Sequence, residues 1–262
     1  MEIRGRRECK DCGNRWSYFD TGSVTCPACG SLRSVGTGDR EQHTDGHAEL
    51  DLTELLVAVD DQPLGALTDE LAETCRSYLA TRGFVRGGEL RALDDAYLVA
   101  AELRHAADIY GRLREPTDPE RLYVVSLLRA SDTGQRPPDA EVPDRFRPAR
   151  GLAAADAVLR YRTEVTTVVD PDAELGGLLS SLRDRGKRVE ALQGDVPATE
   201  ADALVAAARE VWRAVAADDD EAVVVDVRDA WEFDGIGHVP GAVNIPFDSF
   251  RGDDGEAGKL PG

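Results

Sequence analysis

Four of the five cysteines in this chain occur as two Cys-x-x-Cys pairs. Cys9 and Cys12 form the first pair, Cys26 and Cys29 form the second, and thirteen residues separate the pairs. A glycine follows each pair at once, and a residue without Cβ lets backbone amides approach the sulfurs without a clash. Two such turns place four thiolates at the corners of a tetrahedron, which is the geometry of a metal site. The spacing therefore predicts one metal ion held by these four cysteines.

The segment from about residue 2 to residue 36 resembles the zinc ribbons found in transcription factors and small adaptor proteins. Four thiolates leave no open coordination position, so we expect the ion to be structural rather than catalytic. Iron in a rubredoxin-like site uses similar turns, but the stretch between the pairs is short for that fold, and one structural Zn²⁺ is the expected cofactor. The ribbon is expected to unfold in the presence of a chelator.

Aromatic and basic residues lie within the ribbon. On a strand, Trp16 and Tyr18 point to the same face. In one interpretation these rings form a small core that covers the metal. In the other they form a stacking platform for a nucleobase or a protein partner, helped by nearby arginines. The residues of this candidate partner or nucleic-acid face are Arg4, Arg6, Arg7, Arg15, Trp16 and Tyr18.

The charge balance of the chain is strongly acidic. Fifty Asp and Glu face 31 Lys and Arg, which gives a net charge of −19, and only three residues are lysine. Excess carboxylate with little lysine is expected of a halophilic protein that works in molar salt, although an acidic protein from an ordinary cell has the same sign of charge. No apolar run approaches the roughly 20 residues of a membrane span, and the first residues do not form a secretory signal. The sequence predicts a cytoplasmic protein that has no membrane partner.

A polar stretch at residues 41–63 follows the ribbon. His43 and His47 are four residues apart, as metal ligands on one helix face would be. Gly46 lies between them and disfavours a helix, and the four cysteines already satisfy one zinc ion. We therefore expect a solvated linker rather than a second metal site.

Residues 64–217 carry apolar positions at helical spacing, which predicts a bundle of five or six helices. A proline-rich loop at 132–150 is expected to interrupt the bundle. Cys75 falls on an apolar helix face and is expected to be a small buried residue. Asp94 and Asp95 are expected on a solvated face, and nothing in the bundle indicates chemistry. The expected helices cover residues 93–110, 122–128, 152–168 and 173–191, with Asp118 as the N-cap of the second and a last helix after residue 199.

A different pattern begins after residue 220. Residues 222–228 (AVVVDVR) form an apolar run that ends in polar residues, which predicts a buried parallel strand. This run and the later sequence GHVPGAVNIP at 237–246 resemble the opening of a rhodanese domain, whose hallmarks are Asp-x-Arg, Glu-Phe, Gly-His-Ile-Pro-Gly-Ala and Asn-Ile-Pro. The residues that carry the resemblance, all expected to be structural, are Asp226, Arg228, Phe233, His238, Pro240, Gly241, Asn244 and Pro246.

The rhodanese resemblance implies sulfur transfer through a cysteine persulfide. No cysteine follows Cys75, and the match covers about the first third of such a domain. We therefore expect no catalytic residue here, and the leading hypothesis is a zinc-binding adaptor that has a protein partner and a truncated, catalytically incomplete rhodanese-like segment. One alternative is a sulfurtransferase of the thiosulfate or mercaptopyruvate type whose cysteine loop lies beyond Gly262 or in a partner. The other is a nucleic-acid-binding or transcription-associated zinc-ribbon protein.

The predicted fold is multi-domain and mainly α. Its expected parts are a small β zinc ribbon at 1–40, a linker at 41–63, an α-helical domain at 64–217 and a partial α/β rhodanese-like segment at 218–262.

Overall fold

The computed structural model describes residues 1–220 together with two short strands, Val225–Asp226 and Val243–Asn244. The chain divides into two compact units, Met1–Trp212 and Arg213–Gly262. The first unit contains small antiparallel sheets and a set of packed α-helices, and the second contains a parallel strand pair. The protein is therefore multi-domain and mainly α, as the sequence predicts.

The N-terminal part of the first unit is built on short antiparallel strands. Its strands are β1 (Glu2–Ile3), β2 (Arg6–Cys9), β3 (Arg15–Ser17), β4 (Ser34–Thr37) and β5 (Glu41–Gln42). A three-stranded sheet has the order β3-β2-β4, and β1 pairs with β5. The second strand thus carries the first cysteine turn at its end and contacts both neighbouring strands.

A single-turn helix, α1 (Tyr18–Thr21), follows directly after β3. The Ser17 hydroxyl caps this helix by accepting a hydrogen bond from the Asp20 N–H at 3.3 Å. Tyr18 therefore lies on a helix, and the prediction that it shares a strand face with Trp16 is wrong. The physical reason is the cap, because a serine at this position stabilises a helical turn where strand periodicity alone predicts a longer strand.

Seven longer helices follow within the described residues, and the last of them continues past Trp212, where the first unit ends. They are α2 (Thr53–Asp61), α3 (Leu64–Thr81), α4 (Asp95–Tyr110), α5 (Asp118–Thr133), α6 (Arg147–Val168), α7 (Ala173–Ala191) and α8 (Ala198–Asp220). A small hairpin of β6 (Val85–Arg86) and β7 (Glu89–Leu90) lies between α3 and α4. Helix α4 packs against α3, α5 and α6, and α6 also packs against α7. Cys75 on α3 is fully buried, as predicted, and burial raises the pKa of its thiol to about 12.

A buried ionic cluster lies around Glu102 in the middle of α4. Glu102 is fully buried and lies 3.0 Å from guanidinium nitrogens of both Arg136 and Arg150. The Tyr123 hydroxyl also donates to it, and burial together with the Glu102 charge raises the pKa of this phenol. Arg150 further donates to the carbonyl of Pro137 at 3.1 Å. Buried charges need such complete pairing, so the cluster ties the proline-rich segment to the helices.

The segment 41–63 differs from the expected solvated linker. Asp45 is fully buried and forms ion pairs with Arg82 and Arg86, the second at 2.7 Å. The adjacent Thr44 hydroxyl donates to Glu164, which also accepts the Phe84 N–H at 2.6 Å. Asp45 can be buried because both of its arginine partners lie in the connection after α3, and Glu164 on α6 because it accepts from Thr44 and Phe84. The segment thus packs the N-terminal sheets against the helices of the same unit.

Several helix boundaries also differ from the sequence expectations. The N-cap of α5 is Thr117, whose capping box with Glu120 starts the helix at Asp118. This helix continues to Thr133, beyond the short segment expected, and Leu122 on it is 62% exposed rather than buried. The capped helix continues beyond its apolar run because exposed polar residues are also compatible with helical geometry.

Two further differences concern charged and proline residues. Asp94 caps α4 by accepting the Tyr97 N–H at 2.8 Å, and Asp95 pairs with Arg209 at 2.7 Å, so both contact protein groups rather than only solvent. Helix α6 begins at Arg147, inside the expected proline-rich loop. A proline in the first turn of a helix costs no hydrogen bond, which is why Pro148 is compatible with this start.

In the second unit, the strands β8 (Val225–Asp226) and β9 (Val243–Asn244) pair in parallel. Their register places Val225 opposite Val243 and Asp226 opposite Asn244. This agrees with the parallel strand predicted over 222–228. The other motif residues, Arg228, Phe233, His238, Pro240, Gly241 and Pro246, lie outside the described residues. No helix among the described residues is both long and apolar enough to cross a membrane.

Candidate metal centre

The two Cys-x-x-Cys pairs form turns of the same geometry. In the first, the Gly13 N–H donates to the Cys9 carbonyl at 3.1 Å, and in the second the Gly30 N–H donates to the Cys26 carbonyl at 2.9 Å. The first cysteine of each pair is buried, whereas the second is exposed. The repeat in sequence therefore produces two equivalent backbone turns that face each other.

The glycines have a different role from the one expected. Gly13 has a φ of 74° and Gly30 a φ of 71°, and a Cβ at either position would meet no atom within 4 Å. Glycine is thus favoured because the left-handed conformation disfavours a side chain, and not because a Cβ would block the approach to sulfur.

The four sulfur atoms lie together at metal-binding distances. All four lie within 4.8 Å of one another, with Cys9 Sγ 3.7 Å from Cys29 Sγ and Cys12 Sγ 3.6 Å from Cys26 Sγ. Bonds of about 2.3 Å to one central ion give tetrahedral sulfur separations of about 3.8 Å, whereas a disulfide bond measures about 2.05 Å. The donor set thus fits a four-coordinate ion. Within the described residues, no other group of three or more His, Cys, Asp or Glu is close enough to hold a metal.

The electrostatics of the thiols also fit a bound cation. Burial opposes ionisation of Cys26, but the backbone N–H groups of Cys29 and Ala28 lower its pKa to about 6. A backbone N–H of Ser31 favours the Cys29 thiolate, yet the neighbouring Cys12 thiol and burial together raise the pKa of Cys29 to about 12. Four thiolates at this spacing repel one another, so a metal ion is needed before all four can ionise at neutral pH.

The aromatic residues beside the turns form a small cluster around His43. The Phe19 ring lies 4.8 Å from the His43 ring, and the Tyr18 ring lies 6.0 Å away at an edge-on angle. A Cβ on Gly5 would overlap the Phe19 ring, so glycine is required where this ring is seated. Trp16 instead donates its indole N–H to the Ser23 carbonyl at 3.0 Å. Tyr18 and Phe19 thus pack against His43, directly after β5.

The structure divides the six candidate partner residues between different surfaces. In the β2–β3 register Arg7 lies opposite Trp16, and Arg6 lies opposite Ser17. Because strand side chains alternate, Arg6 and Arg15 share the face opposite to that of Arg7 and Trp16. Arg15 is also paired with Glu8 at 3.0 Å. One continuous basic face is therefore not formed, although Arg4, Arg7 and Tyr18 line a common cavity.

One cluster in the helices had no sequence signal. Arg104 Nη2 donates to Asp156 Oδ2 at 2.8 Å, and His105 Nε2 lies 2.9 Å from the same oxygen. Although burial opposes the charge, the His105 hydrogen bond and the Arg104 charge hold the pKa of Asp156 below its usual value. Asp156 is about 50 positions from Arg104 and His105 in sequence, so only the packing of α4 on α6 brings it to them.

Comparison with known families adds a result that the motifs alone do not provide. The model of a family of unknown function (DUF7117) matches residues 1–230. The chain belongs to the DUF7117 family. The cysteine turns and all the described helices lie within the matched region, so both belong to the part of the chain that the family model covers. No curated protein and no solved structure matches the chain.

The model of the rhodanese-like domain matches residues 207–261. The C-terminal part of this DUF7117 protein is thus rhodanese-like, as the motif predicts. The parallel pairing of Asp226 with Asn244 places two of the motif residues opposite each other on adjacent strands.

Proposed function

We propose that this DUF7117 protein is a non-enzymatic interaction protein in which a structural zinc module is joined through helices to a rhodanese-like domain. The observation that carries the proposal is the closed set of four cysteines, whose sulfur separations of 3.6 and 3.7 Å suit a tetrahedral ion. Thiolates bind both zinc and iron. Zinc is proposed because the stretch between the cysteine pairs is short, which favours a zinc ribbon. With no open position, the ion supplies folding energy rather than chemistry.

Metal analysis of the purified full chain tests the zinc module. We expect one zinc per chain by mass spectrometry, no visible absorbance, and loss of the metal in Cys12→Ser. Cys75→Ala is the matched control, because Cys75 is buried in α3 away from the other four cysteines. Removal of zinc by a chelator should abolish amide protection in β2 and β4 and leave α4 protected. A coloured iron protein, or no metal at all, would contradict the zinc assignment.

The interaction role is supported by the lack of a cysteine in the rhodanese-like match. A persulfide-forming cysteine is needed for rhodanese chemistry, and the 55 residues matched to that domain contain none. We expect the purified protein to transfer no sulfur from thiosulfate to cyanide, and to migrate with a protein partner when isolated from its own cells. A nucleic-acid partner through the ribbon is a further proposal, since Arg4 and Arg7 carry no ion pair with the described residues.

A sulfurtransferase is the second candidate, favoured by the rhodanese-like match over residues 207–261. In this proposal the cysteine loop comes from residues that continue the domain or from a partner chain. The native intact mass, measured on protein isolated from its own cells in a volatile salt, separates the two. A mass equal to this chain plus one zinc supports the interaction protein, whereas a larger polypeptide that transfers sulfur from thiosulfate supports the sulfurtransferase.

The acidic composition supports a further proposal, that the protein is halophilic and works inside a salt-rich cytoplasm. Fifty carboxylates against 31 basic side chains repel one another at low salt, and screening at molar salt removes this repulsion. The melting temperature is expected to rise between 0.1 and about 2 M KCl. A melting temperature that is independent of salt would count against this environment.

A further inference from the structure

A cavity beside the N-terminal sheets is lined by more positive than negative charge. Its volume is about 410 Å³, and its charged lining residues are Arg4, Arg7, Arg40, Glu2 and Met1, which carries the N-terminal ammonium group. Tyr18 and the buried His43 also face it. Three arginines thus line one small volume in a chain whose net charge is −19.

The arginines of this cavity lack carboxylate partners within the described residues. Arg4 donates to the Gly38 carbonyl, and Arg7 donates to the Ser34 hydroxyl at 2.9 and 3.1 Å. These neutral acceptors hold the guanidinium groups in place but leave their charges uncompensated. Arg40 forms neither a hydrogen bond nor an ion pair through its side chain with the residues that the structure describes.

A second cavity of about 360 Å³ between the helices provides the contrast. It is also lined by three arginines, Arg76, Arg104 and Arg160. Each of these has a carboxylate partner: Arg76 pairs with Glu73, Arg104 with Asp156 at 2.8 Å, and Arg160 with Glu164 at 3.1 Å. The arginines of this second cavity are thus neutralised, whereas those of the N-terminal cavity are not. Arg121 and Arg129, which line a third cavity of about 600 Å³, also form no ion pair within the described residues, but there two aspartates, Asp60 and Asp118, line the same cavity.

His43 lines the N-terminal cavity with a ring that is almost completely buried. The residue is only 6% exposed, and its Nδ1 has no hydrogen-bond partner among the described residues. Buried polar atoms are almost always paired in folded proteins, so this atom is an exception. Because Nδ1 is inaccessible to solvent, a group in the cavity would contact another part of the ring.

We propose that this cavity binds a small phosphate ester that carries a ring, of which a mononucleotide is the simplest kind. Arginine matches phosphate because its planar fork donates two parallel hydrogen bonds to two oxygens of one group. The volume lies within the roughly 300–1,000 Å³ of small-molecule sites, and the half-buried Tyr18 offers an aromatic surface beside the charges. The site is separate from the four cysteines, and the proposal goes beyond the metal module.

Titration calorimetry of the zinc-loaded full chain tests the proposal, with adenosine 5′-monophosphate as the probe at constant KCl. We expect saturable binding of one nucleotide per chain, and no binding of adenosine, which lacks the phosphate. Arg40→Gln should raise the dissociation constant about tenfold, because it removes one charged hydrogen-bond donor. Arg40 is the first choice for substitution since no structural contact of its side chain is lost.

Arg15→Gln is the matched control. It also removes one positive charge from the ribbon, but Arg15 is exposed, pairs with Glu8 and does not line the cavity. Binding by this variant should equal that of the native chain. Equal weakening by Arg15→Gln and Arg40→Gln would overturn the proposal in favour of diffuse attraction to a basic surface. Binding of adenosine as tightly as its phosphate ester, or no binding of either, would also overturn it.

Nucleic acid is another source of phosphate esters. A single-stranded oligonucleotide without terminal phosphates distinguishes it from a free small ligand. If it displaces the nucleotide and binds more tightly, the cavity belongs to a nucleic-acid interface and the small-ligand proposal fails. If it does not compete, the cavity accepts the free phosphate ester only. The imidazole signals of His43 provide a second measurement, since they should shift on nucleotide binding in the native chain and not on adding adenosine.

Discussion

Arg150 is expected to contribute more to stability than any exposed arginine, because its removal leaves a buried carboxylate without its main partner. Arg150 is 3% exposed, and its guanidinium lies within 3.0 Å of both Glu102 and Asp202. The substitution Arg150→Met keeps an unbranched side chain, shorter than that of arginine, and deletes the charge. Glu102, which is fully buried, must then remain charged with less compensation or take up a proton.

The size of the effect follows from what remains at the site. Breaking a buried ion pair by removing one partner costs about 3–5 kcal/mol. Arg136 still lies 3.0 Å from Glu102, and the Tyr123 hydroxyl still donates to it, so we expect a loss near the lower end, about 3 kcal/mol. For a unit of this size that loss lowers the melting temperature by roughly 6–12 °C.

Urea unfolding followed by circular dichroism at fixed KCl measures the loss. The matched control is Arg183→Met, because Arg183 and its partner Asp184 are both more than half exposed and should contribute less than about 0.5 kcal/mol. Adding Glu102→Gln to Arg150→Met removes the uncompensated charge and should recover part of the stability. If Arg150→Met unfolds within about 1 kcal/mol of the native chain, the cluster is not the electrostatic anchor that we infer.

Three further predictions concern the backbone, a histidine and the buried segment after the ribbon. Gly13→Ala should lower the free energy of unfolding by about 1–2 kcal/mol because residue 13 has a positive φ. Gly176→Ala, in open space on α7, should raise the free energy of unfolding by about 0.5–1 kcal/mol. Urea unfolding of both variants checks the opposite signs. Burial lowers the pKa of His43 below the ordinary value of about 6.5. The contribution of neutral His43 to stability is therefore complete above about pH 6.5 and is lost as the pH falls toward the lowered pKa. An NMR titration that finds an ordinary or raised pKa would contradict this. Asp45→Asn should cost about 3 kcal/mol because Arg86 loses its carboxylate partner and Arg82 keeps only Asp94. The exposed Asp69→Asn serves as the control and should change the unfolding free energy little.

Local signals in the sequence predict those parts of the structure that depend on neighbouring residues. The two cysteine turns are predictable because each is formed by five consecutive residues, and helix α7 is found at the predicted residues 173–191. Capping shifted other boundaries: Ser17 begins a helix where strand alternation predicts a continued strand, and Thr117 with Glu120 begins α5 one residue from the expected cap. Such differences arise because one side-chain hydrogen bond at a helix end can outweigh a weak periodicity.

Contacts between distant residues could not be predicted from those patterns. Thr44 donates to Glu164, which is 120 positions away, and the sequence around Thr44 looks like a solvated linker. A polar residue is buried only if folding brings it a partner, and neither composition nor spacing contains that information. The same reason explains why the cluster of Arg104, His105 and Asp156 had no signal in the sequence.

The sequence by itself therefore determined a four-cysteine module, a mainly helical body and a rhodanese-like C-terminal part, since each depends on short motifs or on apolar periodicity. Only the tertiary structure decided that Asp45 and Glu102 are buried in ion pairs and that Arg4, Arg7 and Arg40 line one cavity. The physical reason is that the energy of a charge depends on the groups that surround it. Those groups come from strands and helices that are far apart in the chain, and folding alone brings them together.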